Sequence, residues 1–219
     1  MVTFEQIAHN ESIKTYIRKA DDALRVLGYT EHSFAHVTKV AKKAREILLT
    51  LGYPARTAEL AQIAGYLHDI GNVINRADHA QSGAVMAFRI LDKLGADAED
   101  TATIISAIGN HDEGTAVAVD AVAAALILAD KTDVRRSRVR NRDMATFDIH
   151  DRVNYAVEEA STEISPDKSA ITLRIRIDTT SASVMDYFEI FLQRMLLCRK
   201  AAERLGLRFG LVINEQAVL

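Results

Sequence analysis

Residues 65–72 read GYLHDIGN. An apolar run that begins near Arg56 ends there in His68 and Asp69, with Gly71 just beyond. The segment from Arg56 to about His68 is apolar on more than one side, which predicts a helix at the centre of a bundle. A histidine and an aspartate adjacent at a helix C-terminus can both face one site once the helix unwinds. A lone His-Asp pair is a weak signal, so its meaning depends on what lies around it.

Helical periodicity continues on both sides. Glu11 to Leu27 carries Ile13, Tyr16, Ile17, Ala20, Leu24 and Leu27 on one face and ends at Gly28. Ser33 to Leu51 repeats the pattern and stops at Gly52 and Pro54. Further helices are expected over Ala80 to Leu94, Asp97 to about Asn110, Val119 to about Arg136 and Asp148 to Ser161. Only 2 prolines and 10 glycines among 219 residues leave long helices few interruptions. The period then changes to two: Ile171, Leu173, Ile175 and Ile177 alternate with polar residues. A long helix from Ser183 to Leu205 and a second strand, LRFGLVI at 207–213, follow. The expected fold is mainly α, a helical bundle over 1–163 with a small strand-helix-strand α/β appendage over 170–219. SPDKS at 165–169 is the expected linker.

Hydrophobic residues make up 48% and charged residues 26%, which suits a buried core. A net charge of −3 argues against a general nucleic-acid binder. Cys198 is the only cysteine, which excludes intrachain disulfides and a CxxC zinc site. Its apolar neighbours suggest a buried, inert thiol. The N-terminus lacks a basic segment followed by an apolar one, and the apolar window Thr115 to Ala129 is interrupted by Asp120. The chain is therefore expected in the cytoplasm, with no membrane partner.

The histidines fall in order. His36 sits in EHSFAHV, His68-Asp69 in LHDIG, His79 in DHAQSG, and His111-Asp112 in IGNHDEG. Asp130 follows Leu126, Ile127, Leu128 and Ala129, where a carboxylate needs a cation. Imidazole and carboxylate together bind borderline and harder divalent metals, and bundled helices can each contribute a ligand to one cavity.

On these residues the chain resembles the HD superfamily of metal-dependent phosphohydrolases, over roughly Thr30 to Arg142. The match is specific: a helix start like HSxxHV, an apolar helix ending LHDIG, and the LADK context of Asp130. The resemblance implies a helical core in which His36, His68, Asp69 and Asp130 ligate a first metal. His79 and His111 fall where dinuclear branches, such as the HD-GYP phosphodiesterases, place ligands for a second, with Asp69 bridging. The chain departs from HD-GYP at Asn72, where that family has Lys. It also has His111-Asp112 instead of two histidines, and no GYP segment. Cyclic dinucleotide cleavage is therefore not implied. The acidic pair of (p)ppGpp hydrolases is absent as well.

The implied chemistry is hydrolysis of a small phosphate ester or nucleotide, with one or two divalent ions drawn from Fe, Mn, Co, Ni, Zn and Mg. Asp69 and His68 carry it, with Asp112 as a proton acceptor or ligand. The basic run KTDVRRSRVRNR at 131–142 suggests a phosphate-binding rim through Arg135 and Arg138. His32, four residues before His36, is a substrate-binding candidate. His9 and His150 are expected to be non-ligands. Rival readings are a diiron oxygenase, a non-catalytic metal-bound signalling domain and a nucleic-acid module. The appendage, with its exposed sheet edges, is a candidate surface for homo-oligomerisation.

Overall fold

The computed structural model describes residues 1–219. Its first seven helices are α1 (Phe4–His9), α2 (Glu11–Val26), α3 (Phe34–Leu51), α4 (Ala55–Leu67), α5 (His79–Lys93), α6 (Ala98–Gly109) and α7 (Ala121–Lys131). Asn10, Ser33, Asp97 and Asp120 cap α2, α3, α6 and α7 through their side-chain oxygens. Each accepts from first-turn N–H groups that have no partner inside the helix.

α3, α4 and α7 pack together at the centre. Every residue from Leu60 to Leu67 in α4 and from Val122 to Lys131 in α7 is buried. A helix surrounded in this way is apolar on most sides, as both are apart from Gln62 in α4 and Asp130 and Lys131 at the end of α7. Gly65 sets how closely two of these helices approach: a Cβ there would stand 2.9 Å from the Ala41 Cα. A glycine at that point lets α4 rest directly on the backbone of α3 and brings His36 and His68 to one end of the pair.

Two expectations about element boundaries are corrected. The apolar period predicts a helix from about Val119 to Arg136, but α7 stops at Lys131. Thr132 turns its hydroxyl back onto the Leu128 carbonyl at 2.6 Å, and the basic run that follows is irregular apart from a 3₁₀ turn at Arg136–Arg138. The helix expected over Asp148 to Ser161 is the shorter α8 (Ile149–Ala156), and the chain becomes strand at Val157. That strand, VEEASTEI, is largely exposed and has no clean apolar alternation to announce it.

The sheet therefore has four strands and begins well before residue 170: β1 (Val157–Ile164), β2 (Ala170–Ile177), β3 (Arg208–Ile213) and β4 (Gln216–Ala217), in that spatial order. SPDKS forms the turn of the β1–β2 hairpin instead of a linker, and Lys168 adopts φ 56° within it. β2 and β3 pair in parallel, with Leu173 opposite Leu211 and Ile175 opposite Ile213. α9 (Val184–Arg204) connects them and packs between β3 and α7. One apolar cluster runs from Val2 to Ile213, so bundle and sheet share a core. No helix is long and apolar enough to cross a membrane.

Candidate metal centre

Four histidines meet at the end of the bundle, each oriented by its own Nδ1. His36, in the first turn of α3, points Nδ1 at Asp133 Oδ2 at 2.8 Å. His68, one residue past α4, faces the Gly65 carbonyl at 2.8 Å. His79, which opens α5, faces the Arg76 carbonyl at 3.1 Å, and His111, past α6, faces the Ile108 carbonyl at 2.6 Å. A ring nitrogen that faces a carbonyl or carboxylate oxygen carries the hydrogen, so each ring presents Nε2 as a lone pair.

Those lone pairs converge on two carboxylates. His36 Nε2 is 3.3 Å from Asp130 Oδ1 and 3.7 Å from Asp69 Oδ2. His68 Nε2 is 3.2 Å from Asp69 Oδ2 and 3.7 Å from Asp130 Oδ1. On the far side, His79 Nε2 is 3.7 Å from Asp69 Oδ1 and 3.2 Å from His111 Nε2. Asn72, Lys131 and Arg76 supply donors at the periphery. His36 Nε2, His68 Nε2 and Asp69 Oδ2 are buried without a hydrogen bond that meets normal geometry. Orphaned acceptors packed this closely are costly unless a cation lies among them. Two trios, His36–His68–Asp130 and His68–Asp69–His111, each have ligand atoms within 4.8 Å of one another and could hold a metal ion. The donor set suits a divalent metal.

Local sequence explains the convergence. After α4 the chain tightens into a 3₁₀ turn at Ile70–Val73, and the Asn72 amide donates to Asp69 Oδ1 at 2.9 Å, leaving Oδ2 turned inward. A Cβ on Gly71 would overlap the His79 carbonyl and stand 2.5 Å from Gly83 N, so only glycine lets this turn lie against the start of α5. Asp78 enters the left-handed region at φ 55° immediately before His79, a conformation that aspartate tolerates better than most residues.

Electrostatics differ from ring to ring: burial would lower His68, but Asp69 and Asp130 outweigh it and raise the imidazole. Burial pushes the His111 imidazole well below its usual range, reinforced by His68 and Lys131. Burial also lowers His79. Burial would raise Asp130, but Lys131, His36 and His68 outweigh it and hold the carboxyl well below normal. Asp69 is held low in the same way by His68 and His32.

Asp133 and Lys131 join the cluster in ways the sequence does not signal, Lys131 standing out there only as the first residue of the basic run. Asp133, 2% exposed, accepts from His36, from Lys39 Nζ at 2.7 Å and from Arg135 Nε at 3.1 Å. Lys131, 5% exposed, holds Asp130 Oδ2 at 2.8 Å. Both lie in ADKTD, beside Asp130.

A polar inner cavity of about 30 Å3 touches Asp69, His79, His111 and Asp130. It adjoins an outer cavity of about 500 Å3. His32, Arg76, Arg138 and Arg194 line both. His32 lines both cavities, with Nδ1 on the Thr30 carbonyl at 2.7 Å. Arg138 does too: it is buried, with Nε on the Glu31 carbonyl and Nη1 on the Asp133 carbonyl, both at 2.9 Å. Arg135 lines neither cavity, which corrects its expected place in a phosphate rim. Glu31 at 3.1 Å, Asp133 and Ser137 hold its guanidinium aside. Asp112 lies at the mouth, its Oδ1 3.8 Å from His79 Nε2 and 4.0 Å from Arg76 Nη2. His150 lines the outer cavity and not the inner one. Arg76 and Arg194, which line both cavities, carry no sequence signal of their position.

Comparison with known proteins places these features in context. The family model described as HD domain matches residues 33–153. Uncharacterized protein MJ1020 of Methanocaldococcus jannaschii is 24% identical over 210 residues, covering 85% of this chain and 79% of that protein. The crystal structure of a predicted HD superfamily hydrolase from an uncultured Thermotogales bacterium is 27% identical. It covers 60% of this chain and 72% of its own, at a TM-score of 0.46.

Proposed function

Because the chain belongs to the HD domain family, we propose that it is a metal-dependent phosphohydrolase, cleaving a phosphate ester of a small molecule or nucleotide through a metal-activated water. The observation that carries this reading is the convergence of four imidazole lone pairs on Asp69 and Asp130. His36, His68, Asp69 and Asp130 would hold one ion, and His79 and His111 a second. Asp69 is suited to share between them, since Oδ2 faces His36 and His68 while Oδ1 faces His79. Imidazole-rich donors favour Fe, Co, Ni or Zn, and the two carboxylates admit Mn; Mg prefers oxygen donors alone.

When bound, such ions supply a water of lowered pKa and neutralise charge on phosphate oxygens. The protein's residues do the rest. Asp133 keeps His36 in the ligating tautomer, and Asn72 fixes the Asp69 carboxylate. Arg76 and Arg138, at the junction of the two cavities, are suited to hold phosphate oxygens. Asp112 Oδ1, at the mouth, can accept a proton from the attacking side.

The test is reconstitution of metal-free protein with Mn, Fe, Co, Ni, Zn or Mg. Bound metal is counted by elemental analysis, and phosphate release is followed from a panel of mono- and diesters. Metal-dependent release that Asp69→Ala abolishes is the expected result. Stoichiometric metal with no release from any ester overturns the reading.

A further inference from the structure

α9 lies outside the residues matched to the HD domain, yet it reaches the site. Its Arg194 lines both the inner and the outer cavity. Arg194 Nε donates to Glu113 Oε1 at 2.7 Å, and the guanidinium stands 4.5 Å from the centre of the Phe191 ring. Glu113 in turn lies 3.7 Å from Lys131 Nζ, which holds Asp130. A row of alternating charge therefore links the ligand cluster to the C-terminal appendage: Asp130, Lys131, Glu113, Arg194.

The three arginines at the cavity junction are committed to different degrees. Arg138 gives Nε and Nη1 to backbone carbonyls, and Arg76 gives Nη1 to Asn72 and His79. Arg194 makes one hydrogen bond, through Nε, so Nη1 and Nη2 are both free of protein partners. A planar guanidinium aimed through Nε by a carboxylate, with an aromatic ring beside it, presents its remaining fork ready-made. The helix that delivers it is anchored by Phe191, Met195 and Cys198, all buried in the shared core.

We propose that the α/β appendage is part of the active site and that Arg194 is a substrate-binding residue, gripping anionic oxygen of the substrate's phosphate group together with Arg76 and Arg138. The identity of the anion rests on the phosphohydrolase reading. The appendage thereby acts as a module that completes substrate recognition within its own chain.

Calorimetric titration of inorganic phosphate into the metal-loaded full chain tests this. Wild type is compared with Arg194→Gln, Arg194→Lys and, as a control at an exposed position of the same helix, Arg199→Gln. Metal content and thermal unfolding are read for each first. Arg194→Gln is expected to weaken phosphate binding about tenfold or more with metal content unchanged. Arg194→Lys should weaken it less, since it keeps the charge and loses the fork. Arg199→Gln should leave it at the wild-type value. If the glutamine variant does not fold, the lysine variant decides. Equal phosphate affinity in wild type and the folded Arg194 variants overturns the inference and leaves the phosphohydrolase reading standing. Metal-loaded wild type that binds no phosphate overturns both. Phosphate binding that depends on Arg194 in a protein that hydrolyses no ester overturns the phosphohydrolase reading alone.

Discussion

His36 and Asp133, 97 residues apart, share a buried hydrogen bond of 2.8 Å from Nδ1 to Oδ2. It fixes which imidazole nitrogen faces the ligand cluster. Burial would raise the Asp133 carboxyl, but His36, Arg138 and Lys39 hold it well below its ordinary range, so it remains an anion. Asp133→Asn keeps an acceptor for His36 but removes that charge. Metal affinity is expected to fall about tenfold with the fold intact, as partners of ligating histidines generally contribute. Competition with a chromophoric chelator checks this; unchanged affinity refutes it.

The dinuclear proposal predicts stoichiometry. Wild type should bind close to two ions per chain, falling towards one in His79→Ala and in His111→Ala while the site at His36 and Asp130 stays filled. Asp69→Ala, which removes the shared carboxylate, should lose metal and activity together without unfolding the bundle. One ion per chain in wild type, unchanged by both histidine substitutions under metal excess, rejects the second site.

Arg135 and Arg138 stand three residues apart with different surroundings, and kinetics should separate them. Arg138 lines the cavities, so Arg138→Ala should raise KM for a cleaved ester more than it lowers kcat. Arg135 is held by Glu31 and Asp133 outside both cavities, so Arg135→Ala should leave KM near wild type. The reverse ranking would refute this assignment.

Gly71→Ala tests the turn that presents Asp69. The added methyl would overlap backbone atoms of α5, which have no rotamer through which to yield. A loss of about 1–3 kcal/mol is expected from overpacking alone, read by denaturant unfolding. Metal binding should weaken as well, because α5 carries His79. Wild-type stability and affinity together would show that the close approach is not required.

Cys198 should be inert in the native protein. Burial pushes its thiol up to about 12, with a small opposing pull from Arg194 and Lys131. The group is therefore protonated at pH 8, with a thiolate fraction of about 10⁻⁴. A thiol reagent such as a disulfide dye is expected to react only after unfolding. Rapid native-state labelling at pH 8 would contradict this.

Much of the bundle was legible because its signals are local. The apolar rows of α2 and α3 and the stops at Gly28 and Gly52 act within a turn or two of themselves. The ligand candidates were legible for a related reason. A carboxylate after Leu126–Ala129 and a His-Asp pair at the end of an apolar helix are out of place locally, and each asks for a partner. β1 escaped because an exposed strand such as VEEASTEI needs no apolar alternation. Its identity comes from pairing with β2, at Ile164 opposite Ile171 and Ala160 opposite Ile175.

The sequence by itself determined which residue types are available to a metal and which helix ends carry them. Only the tertiary structure decided how they are used. Packing of α3 against α7 brings Asp133 to His36 Nδ1, and the turn past Lys131 takes Arg135 out of the cavity while leaving Arg138 in it. The seating of α9 between α7 and β3 places Arg194 beside Glu113, 81 positions away in the chain. Contacts of that length depend on how helices stack, and a stacking angle is a sum over many side chains with no signature at any one position.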